Sequence, residues 1–247
     1  MSPAPVTLAV EDGVARVAMR DRAGDNMLGV AFVDALVAAL HGAAADPTAR
    51  VVLLEGLPEV FCAGAPPALL DDLRAGRAAP ADLTLPRVFF DLPLPIIAAM
   101  AGHAVGGGLC LGLCADIVLL ARESRYGANF MALGFTPGMG ATAILEHALS
   151  PAIAHELLYT AELRRGDAFA GATGINHVLP RGEVVDRALD IALRIAEKPR
   201  DCVELLKRTL SLPRRRRYEA ALTLETLMHT ITFRRSPGAG GGPRDVG

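Results

Sequence analysis

Two glycine-bearing turns and one histidine-bearing stretch hold the residues of this chain best suited to chemistry. The first turn, Phe61-Cys62-Ala63-Gly64-Ala65, comes shortly after the apolar run Arg50–Glu55. The second, Gly102-His103-Ala104-Val105-Gly106-Gly107-Gly108, follows Ile96–Met100 and precedes the apolar run Leu109–Cys114. Glycines after a strand let the backbone approach a ligand closely. A helix start adds free N–H groups and a partial positive charge suited to an oxyanion. One amide from each turn would make an oxyanion hole. Tight helix–strand packing explains a triple glycine equally well. No Gly-Lys-Ser/Thr follows it, and the spacing and acidic partner of a dinucleotide loop are missing, so phosphate-loop readings are set aside.

Tyr218, Leu222, Glu225, His229 and Phe233 recur every three or four residues, which puts them on one helix face. Glu225 could accept a hydrogen bond from His229 and favour imidazolium, a proton donor near neutrality. Spacing alone favours a surface Glu–His pair. His103 could touch a pocket beside the glycine turn or pack at a strand end. His41, His147, His155 and His177 have no acid partner in a motif and read as structural or exposed. Cys62, Cys110, Cys114 and Cys202 show no paired spacing and no histidine cluster, so no zinc site is expected. Cys110 and Cys114 read as small hydrophobes.

The elements that must position these groups are legible in outline. Val6–Val10 and Val14–Met19 predict a hairpin turning at Glu11-Asp12-Gly13. Asp25-Asn26 predicts a helix cap before Phe32, Leu36 and Leu40. Arg50–Glu55, Ile96–Met100 and Ile117–Ala121 read as buried parallel strands linked by crossover helices. Beyond residue 138 the pattern is almost wholly helical: Ala141–Leu149, Ala152–Ala161, Val184–Ala196, Asp201–Leu210, and a last helix from Tyr218 to about Phe233. One domain over 1–235 is expected, with a core at 5–145 and a helical extension at 146–235, followed by a Gly/Pro tail at 236–247 expected to be disordered. No internal sequence repeat is detected.

Bulk properties narrow the classes. The 247 residues are 51% hydrophobic with a formal net charge of -2, enough for a large core and too little positive charge for a nucleic-acid partner. The basic run Arg214–Arg217 reads as a solvated helix end or subunit contact, with a phosphate or carrier surface as the alternative. There is no secretory pattern and no apolar run of about 20 residues, so a cytoplasmic protein with no membrane partner is expected.

Taken in order, FCAGA (61–65), PIIAAMAGHAVGGGLCLGLCADI (95–117) and GFTPGMGAT (134–142) resemble the signature segments of the enoyl-CoA hydratase/isomerase, or crotonase, family over roughly residues 5–235. The resemblance implies an α/β fold: a spiral of βαβ units with a C-terminal helical trimerisation region, assembled as a homotrimer or hexamer. It also implies an oxyanion hole on an acyl thioester, with Ala65 and Gly107 as the amide donors. Asp116 reads as structural. Family hydratases use two glutamates, and the matching positions here are Cys110 and Phe130. Without a carboxylate pair to activate water, hydration is disfavoured, and an apolar pocket at Phe130 would weaken the solvation of a substrate carboxylate.

Asn129-Phe130-Met131, the GFTPGMGAT segment and Glu225-x-x-x-His229-x-x-Thr232-Phe233 further resemble the decarboxylating homologue of polyketide β-branching cassettes. That resemblance implies decarboxylation of a 3-methylglutaconyl group on an acyl carrier protein, or on CoA, through a dienolate. His229 would be the proton donor or would position the carboxylate. His103, Asn129, Phe130 and Thr136 are candidate pocket residues. No metal or redox cofactor is implied. A lysine that some relatives carry after the first loop is absent here, with no basic residue before Arg74, which leaves the product double bond open. A dehydratase or double-bond isomerase, and a non-catalytic carrier-binding scaffold, are the alternatives.

Overall fold

A hairpin leads into the sheet system: β1 (Val6–Glu11) and β2 (Val14–Met19) pair antiparallel with Glu11 opposite Val14. The computed structural model describes residues 4–75, 77 and 85–232, apart from the side chain of Arg74. α1 (Val30–Ala45) then starts from Gly29 without a side-chain cap. The capping role expected of Asp25-Asn26 is not what is found. Asn26 is fully buried and donates through Nδ2 to Phe61 O at 3.0 Å and Met19 O at 3.3 Å. A buried amide must find partners, and these two carbonyls claim it before the helix begins.

Among the described residues, the chain then repeats one plan. β3 (Val51–Glu55) enters the first sheet and β4 (Val60–Cys62) the second. After α2 (Pro67–Arg74) and α3 (Leu85–Asp91), β5 (Ile96–Met100) and β6 (His103–Val105) do the same. After α4 (Gly107–Leu113), β7 (Ile117–Ala121) and β8 (Arg125–Gly127) follow suit. This alternation is the expected spiral.

α5 (Ala141–Leu149) and α6 (Pro151–Thr160) come next, then β9 (Leu163–Arg165), β10 (His177–Leu179), α7 (Val184–Ala196) and α8 (Arg200–Thr232). The first sheet has the order β1-β2-β3-β5-β7-β10 and the second β4-β6-β8-β9. β3, β5 and β7 run parallel and are covered on both faces. Val52, Leu54, Ala98 and Leu120 face the main core, while Val51, Leu53, Ile97 and Leu119 face α7 through Val184, Ala188 and Ala192. That double burial explains their unbroken apolar runs.

Two expectations about the C-terminal part need correction. The region beyond residue 138, expected to be almost wholly helical, also holds two strands, β9 and β10; each has three residues, too few to show a period. β10 joins the first sheet beside β7, His177 opposite Leu119. The two helices expected around Pro213 are one continuous helix, α8. A proline inside a helix costs about 3 kcal/mol, and contacts on either side of it hold α8 straight through. Lys207 Nζ bonds Asp116 Oδ2 at 2.7 Å, and Arg214 reaches Asp116 Oδ1 at 3.0 Å and the carbonyls of Cys114 and Ala115 at 2.6 and 2.9 Å. Phe233 and the 236–247 tail lie outside the described residues.

Candidate active site

β4 and β6 are neighbours, Val60 opposite His103 and Cys62 opposite Ala104, so the turns that leave them start side by side. Gly64 has φ +88°, and a Cβ there would lie 2.7 Å from Val105 O and 3.6 Å from Gly107 N. A side chain at this point would push the first turn off the second. Leu28 N–H to Gly64 O (2.8 Å) and Ala63 N–H to Asp25 O (3.1 Å) fasten the turn. Among the described residues, neither Ala65 N–H nor Gly107 N–H has a protein acceptor. Gly107 is the first residue of α4, where no intrahelical acceptor exists.

A cavity of about 410 Å³ is lined by both of these residues and by Asn129, Phe130, Thr136 and His229. Most of the remaining wall is apolar, including Leu28, Val37, Leu69, Leu73, Val88 and Met139. Among the described lining residues the titratable side chains are His229 and Asp34, and Asp34 sits exposed on α1. Cys110 is not in the wall. It is fully buried within α4, and burial pushes its thiol well above the ordinary value. Neither glutamate position of the hydratases therefore offers a carboxylate to this cavity.

His103 is a correction: it does not line the cavity. Its Nδ1 accepts the Arg125 N–H at 2.8 Å, which spends the ring on β8. Burial, with Arg181 and Arg125 nearby, lowers its pKa.

His229, 5% exposed on α8, donates from Nε2 to Thr136 O at 2.9 Å. Burial pulls its pKa below the ordinary value; the carbonyls of Thr136 and Pro137 act against this, and burial prevails. The expected support from Glu225 takes another form. Glu225 Oε2 accepts Gly140 N–H at 2.7 Å, and Oε1 accepts Thr142 N–H at 2.9 Å and Thr142 Oγ1 at 2.7 Å. The open amides at the start of α5 claim the carboxylate. Burial raises its pKa, and these bonds oppose the rise.

The first two arginines of the basic run are engaged within the chain. Arg214 is spent on Asp116 and on the carbonyl end of α4, with its guanidinium 5.2 Å from the Phe90 ring centre. Arg215 pairs with Asp91 and Glu219. Asp116 also accepts the Ile96 N–H at 2.8 Å, so it ties strand, α4 and α8 together. Sequence reasoning missed Leu28, Met139 and the α3 residue Val88 as cavity lining, because they look like ordinary core residues. Asn26 was seen and given the wrong task.

The profile of the enoyl-CoA hydratase/isomerase family matches residues 9–239. The bacillaene synthase decarboxylase PksI of Bacillus subtilis is 38% identical over 226 residues, covering 92% of this chain and 91% of its own. The ECH2 decarboxylase domain of CurF from Lyngbya majuscula superposes with a TM-score of 0.89 at 34% identity, covering 95% of this chain and 96% of its own. A structure from a dehydratase/decarboxylase enzyme couple involved in polyketide β-branching gives 0.88 at 38% identity, covering 93% and 94%. A probable enoyl-CoA hydratase of Mycobacterium tuberculosis is 34% identical over 215 residues, covering 83% of this chain and 81% of its own.

Proposed function

The chain belongs to the enoyl-CoA hydratase/isomerase family, and from that premise we propose that it is a lyase of polyketide β-branching that decarboxylates a 3-methylglutaconyl-type acyl thioester. The observation that carries the reading is the pair of acceptor-free amides, Ala65 and Gly107, on a largely apolar cavity that holds His229 and neither hydratase glutamate. The similarity to PksI and to the CurF domain supports the same reaction.

In the reaction, the bond from the γ-carbon to the carboxylate breaks and CO2 leaves. Its electron pair passes through the double bond to the thioester oxygen, giving a dienolate. The Ala65 and Gly107 amides take the new charge, which preorganised donors in a water-poor site do at little reorganisation cost. His229 as imidazolium then delivers one proton to carbon. Burial disfavours the charged ring in the free protein, and an arriving carboxylate favours it, so the ring takes up its proton from solvent as the substrate binds. The apolar wall leaves the carboxylate poorly solvated and favours its loss. The route uses no metal or redox group.

The substrate is carried by an acyl carrier protein, with CoA as the other carrier of the same chemistry. The enzyme works in the cytoplasm as a homotrimer or hexamer. The exposed Leu224, Leu227 and Ile231 of α8 support an assembly through that helix. Among the described residues no helix is long and apolar enough to cross a membrane.

The test is intact-mass analysis of 3-methylglutaconyl carrier protein incubated with the enzyme. Loss of one CO2 is expected. Loss of one water from the hydroxylated precursor instead would make the enzyme a dehydratase, and no change with either substrate would leave the scaffold reading. His229→Ala should lower the decarboxylation rate about 10²-fold.

A further inference from the structure

His229 is held by a segment with little regular structure of its own. Residues 134–140 contain three left-handed positions, Gly134, Met139 and Gly140, at φ +75°, +63° and +76°. Thr136, the acceptor of His229, lies in this segment. So does Gly138, where a Cβ would stand 2.9 Å from His229 Cε1, so the ring lies against bare backbone. At the far end, Met139 reaches the oxyanion side: a Cβ on Gly107 would be 2.7 Å from Met139 Sδ. One short segment therefore touches the proposed acid and the residue carrying a proposed amide.

α8 grips this segment at two levels. His229 bonds Thr136 O, and one turn earlier Glu225 takes Gly140 N–H, Thr142 N–H and Thr142 Oγ1. Glu225 is 1% exposed, and its three bonds lie between 2.7 and 2.9 Å. A further side-chain link, Thr136 Oγ1 to Thr232 Oγ1, is 3.4 Å long. Bonds to a charged acceptor are about twice as strong as neutral ones, so the Glu225 anchor fixes the register of α8 on the segment.

We propose that Glu225 is a positioning residue for the decarboxylation: by fastening α8 to residues 140–142, it sets where His229 stands relative to the Gly107 amide. This rests on the reading of His229 as the proton donor. Glu225 touches neither substrate nor His229 in this scheme; it acts through the backbone between them. A carboxylate serves better than an amide here, because all three partners are donors and Oε1 and Oε2 must both accept.

The test is a double-mutant cycle on the purified full chain, read by single-turnover mass analysis of 3-methylglutaconyl carrier protein. Glu225→Gln is expected to lower the rate about 10²-fold, the effect of a displacement of about 1 Å, with little change in the substrate concentration at half-maximal rate. In the His229→Ala background it should cost almost nothing further, because the group it positions is gone. An equal loss in both backgrounds would reduce Glu225 to a cap for α5 and overturn the proposal. So would an unchanged rate in the otherwise unaltered enzyme. If Glu225→Gln does not fold, the same cycle with Thr142→Val, which removes one donor, decides in the same way with a smaller loss. A fully active His229→Ala enzyme would defeat the proton-donor reading itself, an outcome separate from additivity.

Discussion

His229 meets two opposing influences, and they lead to a pH signature. Burial lowers the pKa of the free ring, and the Thr136 and Pro137 carbonyls resist. The charged groups nearest the question are Glu225, committed to Gly140 and Thr142, and Asp34, exposed on the cavity wall. An acid must be protonated to act, so kcat/KM should fall about tenfold per pH unit above the depressed value of the free enzyme. A bound substrate carboxylate favours the imidazolium, so the corresponding limb of kcat should lie at higher pH. Rate profiles measured on both sides of neutrality would show the two limbs apart. Coincident limbs, or limbs that persist in His229→Gln, would remove the ring from proton transfer. At this scale much was legible: Ala65, Gly107, Asn129, Phe130, Thr136 and His229 were all picked from motif positions, and the cavity gathers them. His103 was not separable from them, because a strand residue next to a loop can face either way. The task of Glu225 was also hidden, since helical spacing shows what shares a face and not what a distant segment offers to it.

Among the elements, the join of α4 to α8 is held by a largely buried charge cluster. Lys207, with a side chain 1% exposed, and Arg214 both reach Asp116, which in turn holds the Ile96 N–H. Burial lowers the Lys207 pKa and Asp116 counters it. Lys207→Met removes one of the two cations from a buried acid. Breaking a buried pair on one side costs roughly 3–5 kcal/mol, and with Arg214 still in place a loss of about 3 kcal/mol is expected. Urea titration followed by circular dichroism would measure it. A loss below about 0.5 kcal/mol, the ordinary effect of a surface change, would show that the clamp is idle. The long buried strands were readable as unbroken apolar runs, and several helices from their own apolar period. The break expected between Leu210 and Tyr218 contains Pro213, whose local penalty favours a helix end, whereas the Asp116 clamp that overrides it arises across 98 residues of chain.

For the molecule as a whole, parallel strands with crossover helices were legible from the alternation and the spiral from the family resemblance, while the second sheet was not legible. β4, β6, β8 and β9 have three residues each and show no pattern until they are laid side by side. Global stability should reflect the histidines packed into this framework. His103, His147 and His229 all have pKa values lowered from 6.5, burial being the first cause in each. Between 6.5 and the lower folded values the unfolded chain binds more protons, so stability falls as pH drops through that window. Glu225 has the opposite sense, since its raised folded pKa lends stability at low pH that is lost as pH rises. With three groups against one, the urea midpoint should decline from about pH 7.5 to about pH 5. A midpoint that is flat or rises on acidification would contradict this.

The acceptor-free amides have a hereditary consequence. Their hydrogens belong to the peptide chain, so most codon changes at 65 or 107 alter what surrounds the donor and leave the donor itself in place. Proline is the exception, because it alone removes the hydrogen. At 65, descendants of this gene can therefore change the side chain and still inherit the same grip on an anionic oxygen, whereas at 107 any side chain must first displace Met139.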